Sequence, residues 1–236
     1  MKEREELWYR HNDLQDSRPM VFIETDTFWE DIKPVLQCST PFGREIESQL
    51  LKEIASAELI DDDKIIQDFF EIQLLAEDEK FGVKQKKTYA QDGLGYHIEP
   101  VLEVLEEDMH ILSPTKFGFD KVDFQRKCSR VQEAIGDILP VKVVNGTNRW
   151  NLSLSQNVIE LMGMENMFVA MLEEPDEFHS LMRFITDDRI RLLRWEEENG
   201  YLWQNNGNDY MGSGNICFSR ELAGEKVKGK LTSIHT

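Results

Sequence analysis

Cysteine is scarce in this chain and unpatterned. Cys38, Cys128 and Cys217 are the only three in 236 residues. No CxxC occurs, which excludes a zinc ribbon and a disulfide framework. Long apolar runs are also missing. None approaches the ~20 residues that span a bilayer, and the start, Met1-Lys2-Glu3-Arg4-Glu5-Glu6, is charged where a signal peptide needs an apolar stretch. Together these point to a cytoplasmic protein with reduced thiols. Basic residues are few: 27 Lys and Arg face 45 Asp and Glu, a formal charge of −18. A surface that negative repels phosphate backbones and anionic lipid, so neither nucleic acid nor membrane is an expected partner. Phosphate loops and nucleophile elbows are absent too: there is no Walker A loop, no GxGxxG after a strand and no GxSxG. The five histidines, His11, His97, His110, His179 and His235, nowhere pair at metal-ligand spacing. No metal and no particular cofactor is indicated.

What is there is a mixed pattern of helices and short strands. Residues 2–16 form a polar helical pattern ended by Arg18-Pro19. Met20-Val21-Phe22-Ile23 follows as a short buried strand. Thr40-Pro41 is a capping residue followed by proline at the first helical position, and the helix it opens runs to about Leu59 with a stripe of Ile46, Leu50, Leu51, Ile54 and Ala55. Asp61-Asp62-Asp63 reads as the cap of a further helical segment carrying Ile65, Ile66, Phe69, Phe70 and Ile72, in preference to a metal site. Residues 81–98, rich in lysine and glycine, predict a hairpin, with Lys84, Lys86 and Lys87 as edge-strand lysines. A helix is expected over Val122–Gly136, and a short acidic one from Pro100 to Asp108.

The stretch from Leu139 to Gly214 is the most organised. Leu139–Val144 reads as a strand, two helical patterns follow, and Tyr201–Asn205 reads as a second strand. The later helix opens on Glu174-Pro175-Asp176-Glu177 and closes on Gly200. Two strands joined by that much helix are expected to be parallel, and parallel sheets keep their sites at the carboxyl ends of the strands. The candidate residues are therefore Glu24 and Asp26 after the first strand, Asn145, Arg149 and Trp150 after the middle one, and Asn205 and Asp209 after the last. Glu24 or Asp26 would transfer a proton, Arg149 would hold an anionic group by its planar fork, and Trp150 would give an apolar wall. Asn, Asp and Gly are also ordinary turn residues, which is the plainer explanation for any one of them.

Arg18-Pro19-Met20-Val21-Phe22, Pro41-Phe42-Gly43-Arg44-Glu45-Ile46-Glu47, Leu139–Gly146, Glu174-Pro175-Asp176-Glu177-Phe178 and Gly200–Asn205 follow one another in an order that resembles the uroporphyrinogen decarboxylase-like superfamily, which includes cobalamin-dependent methyltransferases. The resemblance implies a (β/α)8 TIM-type barrel with an N-terminal helical extension. Residues 1–18 would be that extension, and 19–236 the first half of the barrel in a single α/β domain. It also implies a tetrapyrrole, a corrinoid or another small molecule as ligand. Decarboxylases of the family carry an arginine-rich loop after the first strand, where this chain has the acidic Glu24-Thr25-Asp26-Thr27; the expectation thus moves from decarboxylation towards one-carbon transfer. The methyltransferases' His/Cys zinc cluster falls later than this sequence reaches. Two other readings stand beside the enzyme: a shortened, non-catalytic fragment whose open sheet edges drive it to a homo-oligomer, and a small acidic α/β binding module.

Overall fold

A computed structural model describes residues 1–76, 79–89, 96–147, 151–212 and 215–221. Among them, helices α1 (Lys2–Asn12), α2 (Trp29–Ile32) and α3 (Pro41–Leu59) precede strand β1 (Phe70–Leu74). Strands β2 (Lys86–Tyr89) and β3 (Tyr96–Glu99) come next, then α4 (Leu105–Asp108), α5 (Lys121–Ile135) and strand β4 (Val141–Asn145). Two long helices, α6 (Leu154–Glu173) and α7 (Pro175–Asn199), lead to strands β5 (Tyr210–Gly212) and β6 (Asn215–Ile216).

The expected helix starts are present. Thr40 caps α3 by accepting from the Gly43 amide at 3.1 Å, with Pro41 at the first helical position. Asp120 caps α5 through the amides of Val122 and Asp123, both at 2.9 Å. Gly200 ends α7 in the left-handed conformation (φ 74°), as a glycine past a helix end should. The expected hairpin is present as well: β2 and β3 are antiparallel, Lys86 opposite Glu99.

The sheet departs from expectation. β4 is a strand and its pairing is parallel, but its partner is β1, in register from Phe70–Val141 to Leu74–Asn145. Residues 201–205 form no regular element and join no ladder. Tyr201 is held otherwise: its amide donates to the Glu196 carbonyl, and its carbonyl accepts from the Asn145 side chain at 3.2 Å. The segment around Phe70, read as helical, is a strand because Phe70, Ile72 and Leu74 are buried while Glu71 and Gln73 between them are not. Met20–Ile23 is not a strand either. The amides of Val21 and Ile23 are held by the carboxylates of Asp63 and Asp62, both at 2.9 Å, so side chains do what a neighbouring strand would have done. The three sheets of the described residues are two-stranded, and none closes into a barrel. The fold is mixed α/β.

Three apolar clusters hold these elements. Phe70 and Ile72 pack with Ile46 of α3 and Val131 of α5, covering one face of the parallel pair. Phe81, Leu102, Leu105, Leu161, Leu181 and Ile185 join the base of the hairpin to α6 and α7. Trp8 of α1 packs on Ile216 and Phe218. No helix is long and apolar enough to cross a membrane, among the described residues.

Helix α6 is broken at Gly163 (φ 76°, ψ 163°). The break frees the Leu161 carbonyl, which accepts from the Val101 and Leu102 amides at 2.7 and 3.0 Å. This backbone region is open only to glycine. Gly163→Ala should therefore lower stability by about 1–3 kcal/mol, read by chemical denaturation, although a Cβ there would meet nothing closer than Pro100 Cγ at 3.8 Å.

Candidate functional site

Two polar centres lie near the parallel pair, one beside β1 and one at the carboxyl ends of β1 and β4, and the expected residues divide between them. The first is a groove of about 670 Å³ between α3 and β1, walled by residues 22–26 and 208–210. Ile46, Leu50 and Ile72 give it an apolar floor. Glu24 and Asp26 both line it, away from the strand ends where they were expected. Glu24 accepts from the Tyr210 hydroxyl at 2.5 Å, and the Tyr210 ring stacks on Phe22, centroids 5.7 Å apart. Asp26 pairs with Lys52 at 2.5 Å. Asn208 fastens the opposite wall by donating to the Ile65 carbonyl at 2.9 Å.

Sequence reasoning passed over the groove's other charges. Lys64 donates to the Ile23 carbonyl at 3.0 Å and lies 5.0 Å from the Phe22 ring centroid. Glu53 lines the groove and is exposed to it. Partial desolvation by the neighbouring protein raises its carboxyl pKa, against the pull of Lys64 and Lys52 and with a further push from Glu71. A carboxyl raised this way in a cleft is suited to proton exchange. No sequence signal marked it, because Glu53 sits in an ordinary charged stretch of α3.

The second centre is at the carboxyl ends of β1 and β4. Asn145 is buried there, donating to Glu196 at 2.5 Å and accepting from the Thr147 amide at 2.9 Å. The Thr147 hydroxyl accepts from the Ala76 amide at 2.9 Å. These bonds make Asn145 a brace between β4 and α7. Of the remaining expected residues, Arg149 and Trp150 lie outside the described residues. Asp209 closes its own turn by accepting from the Gly207 amide at 3.1 Å. Asn205 has a buried Oδ1 with no hydrogen-bond partner among the described residues, an arrangement that calls for a water or ligand donor. The expected site is therefore not one constellation: Glu24 and Asp26 share the groove, while Asn145 belongs to the brace.

Two charge networks, one buried and one half-buried, were also missed. Asp188 on α7 accepts from the Thr115 amide and hydroxyl at 2.9 and 2.6 Å, from Arg189 at 2.6 Å and from Arg191 at 2.7 Å. Its spacing from Leu181, Ile185 and Leu192 places an acid on the buried stripe of α7, a signal the sequence did contain. Lys80 meets Glu160 at 2.5 Å and also Asn151 and Asn157, at 3.1 and 3.2 Å. Asp62 and Asp63 are occupied as struts, Asp63 by Arg18 and Val21, and no group of His, Cys, Asp and Glu could hold a metal ion among the described residues.

Burial pushes the Glu160 carboxyl up, but the Lys80 ammonium outweighs it and leaves the pKa below the ordinary value. A folded-state pKa below the unfolded one, about 4.3, adds stability that is complete above that pH and lost as pH falls through the lower, folded value. Lys80→Met should reverse this acid dependence, because burial then raises the carboxyl, and lower stability at neutral pH by roughly 1–3 kcal/mol, since it leaves a half-buried carboxylate without its cation. Denaturant midpoints recorded from neutral to acid pH check both parts.

Comparison with family models, with curated proteins and with solved structures finds no match to this chain.

Proposed function

We propose that this is a small-molecule binding protein whose ligand lies in the groove between α3 and β1. The observation that carries the reading is the convergence of three sequence-distant segments, 22–26, α3–β1 and 208–210, on one cleft with an apolar floor. Its volume is that of ordinary ligand sites. The ligand class follows from the lining. An apolar body fits Ile46, Leu50 and Ile72; acids outnumber lysines in the lining five to three, so an anionic group has its place only beside Lys52 and Lys64. Glu53, its pKa raised by partial desolvation, is the group able to exchange a proton with the ligand.

The dye 8-anilinonaphthalene-1-sulfonate has this chemistry, an aromatic body with one anion. It should bind saturably with enhanced fluorescence. Lys64→Gln should weaken binding and Glu53→Gln should tighten it at neutral pH, each about fivefold, roughly the 1 kcal/mol expected for one unit charge about 4 Å away in a wet site. Absence of saturable binding, or equal affinity in both variants, overturns the proposal.

A second reading is a protein of the uroporphyrinogen decarboxylase-like type, a half barrel related to one-carbon transfer. One observation favours it: β1 and β4 are parallel and carry a buried polar cluster at their carboxyl ends, where barrel enzymes keep their chemistry. It predicts that a corrinoid or a tetrapyrrole changes its absorbance on mixing with the protein. No spectral change at high protein concentration rules this reading out.

A further inference from the structure

The second half of α6 turns an apolar face to solvent. Met164, Phe168, Met171 and Leu172 recur at i, i+4, i+7 and i+8, and Val169 flanks them. Leu172 is 85 % exposed and Phe168 55 %, and the other three are exposed as well. Single exposed apolar residues are normal on any protein, but a contiguous stripe marks a surface that meets something. The opposite side of the same helix is accounted for, since Ala170 and Met167 pack into the core with α7. The stripe begins at the break at Gly163. A cavity of about 500 Å³ opens there, lined by His97, Pro100, Met162 and Met164 among others. The unit thus consists of one pocket and a helical row of anchors, two of them methionines, whose flexible thioethers adapt to a partner's shape.

Charge selects the occupant. Glu165 and Glu173 are exposed on the same helical segment. Glu174, Asp176 and Glu177 follow it, and α4 adds Glu106, whose amide donates to Glu174 Oε1 at 3.1 Å. From Leu161 to Met182 there is no Lys or Arg. A second copy of the chain would bring the same acids to the interface, and an anionic membrane would be repelled. We propose that this face docks a basic amphipathic helix of a partner protein, with apolar anchors at helical spacing lying along Phe168 and Leu172 and lysines or arginines meeting the acidic surroundings. The site is separate from the groove between α3 and β1.

Fluorescence anisotropy of labelled synthetic peptides tests the proposal. A leucine–lysine amphipathic helix should bind with micromolar affinity, and more weakly as salt is raised. A peptide of the same composition, shuffled so that its leucines share no face, should bind at least tenfold more weakly, as should a leucine–glutamate helix. The double variant Phe168→Ser, Leu172→Ser should lose at least tenfold in affinity with an unchanged melting temperature, because both side chains are exposed. Equal binding of the shuffled or acidic peptide, or unchanged affinity in the double variant, overturns the proposal. So does a dimer of the unmodified protein in sedimentation that the double variant abolishes, or binding of the protein to phosphatidylserine vesicles.

Discussion

Asp188 is the polar anchor on which the larger core depends. A carboxylate buried on an apolar helix face would be strongly unfavourable alone. Here its two oxygens take four donors, two from Thr115 and one each from Arg189 and Arg191. Thr115 does more than pair with it: its hydroxyl also accepts from the Phe81 amide at 2.9 Å. Phe81 is fully buried and in the left-handed backbone region (φ 57°), which non-glycine residues seldom adopt. That conformation persists because the residue is held at both ends, its carbonyl accepting from the Ser113 amide at 2.9 Å. A little further on, the Gly118 amide bonds the Ala76 carbonyl just past β1. Residues 113–118 therefore tie α7, the base of the hairpin and the exit of β1 to one buried acid.

The two centres near the parallel pair have been given different tasks by this arrangement. At the carboxyl ends of β1 and β4 the polar atoms are consumed in internal bonds: Asn145 to Glu196, Thr147 to Ala76. Beside β1, the charges line an open groove, with Lys52 on Asp26 and Lys64 on a backbone carbonyl. A satisfied buried network rigidifies, whereas accessible charges over an apolar floor can still exchange partners. That contrast is why the groove is the proposed ligand site, although general experience with parallel sheets pointed to the strand ends.

Local signals were legible in the sequence wherever a single residue type answers a local need. Thr40-Pro41, Glu174-Pro175 and Gly200 marked helix ends because capping and backbone freedom are decided within one turn. The hairpin over 81–98 and the strand after Leu139 were legible for similar reasons. Pairing was not. β4 could in principle join any extended neighbour, and Tyr201–Asn205 was nearer in sequence than Phe70–Leu74. The period-two pattern of Phe70, Ile72 and Leu74 was hidden by Ile65, Ile66 and Phe69 just before it, which completed a helical spacing. Of the site, Glu24 and Asp26 were legible as acids ending an apolar run, even though Asp62 and Asp63 shape that run by bonding its amides. Glu53, Lys52 and Lys64 became functional candidates only through the path of the chain.

The register of the parallel pair also has a consequence for assembly. Phe70 and Val141 face each other across a long stretch of chain, and closing so large a loop carries an entropy penalty that grows with its length. Helices α6 and α7 are joined at Glu174 alone and face no such barrier. The helical hairpin is thus built from local contacts, and the parallel pair carries the larger loop-closure cost. The groove beside β1 likewise draws on distant segments, since residues 22–26 and 208–210 must both reach it.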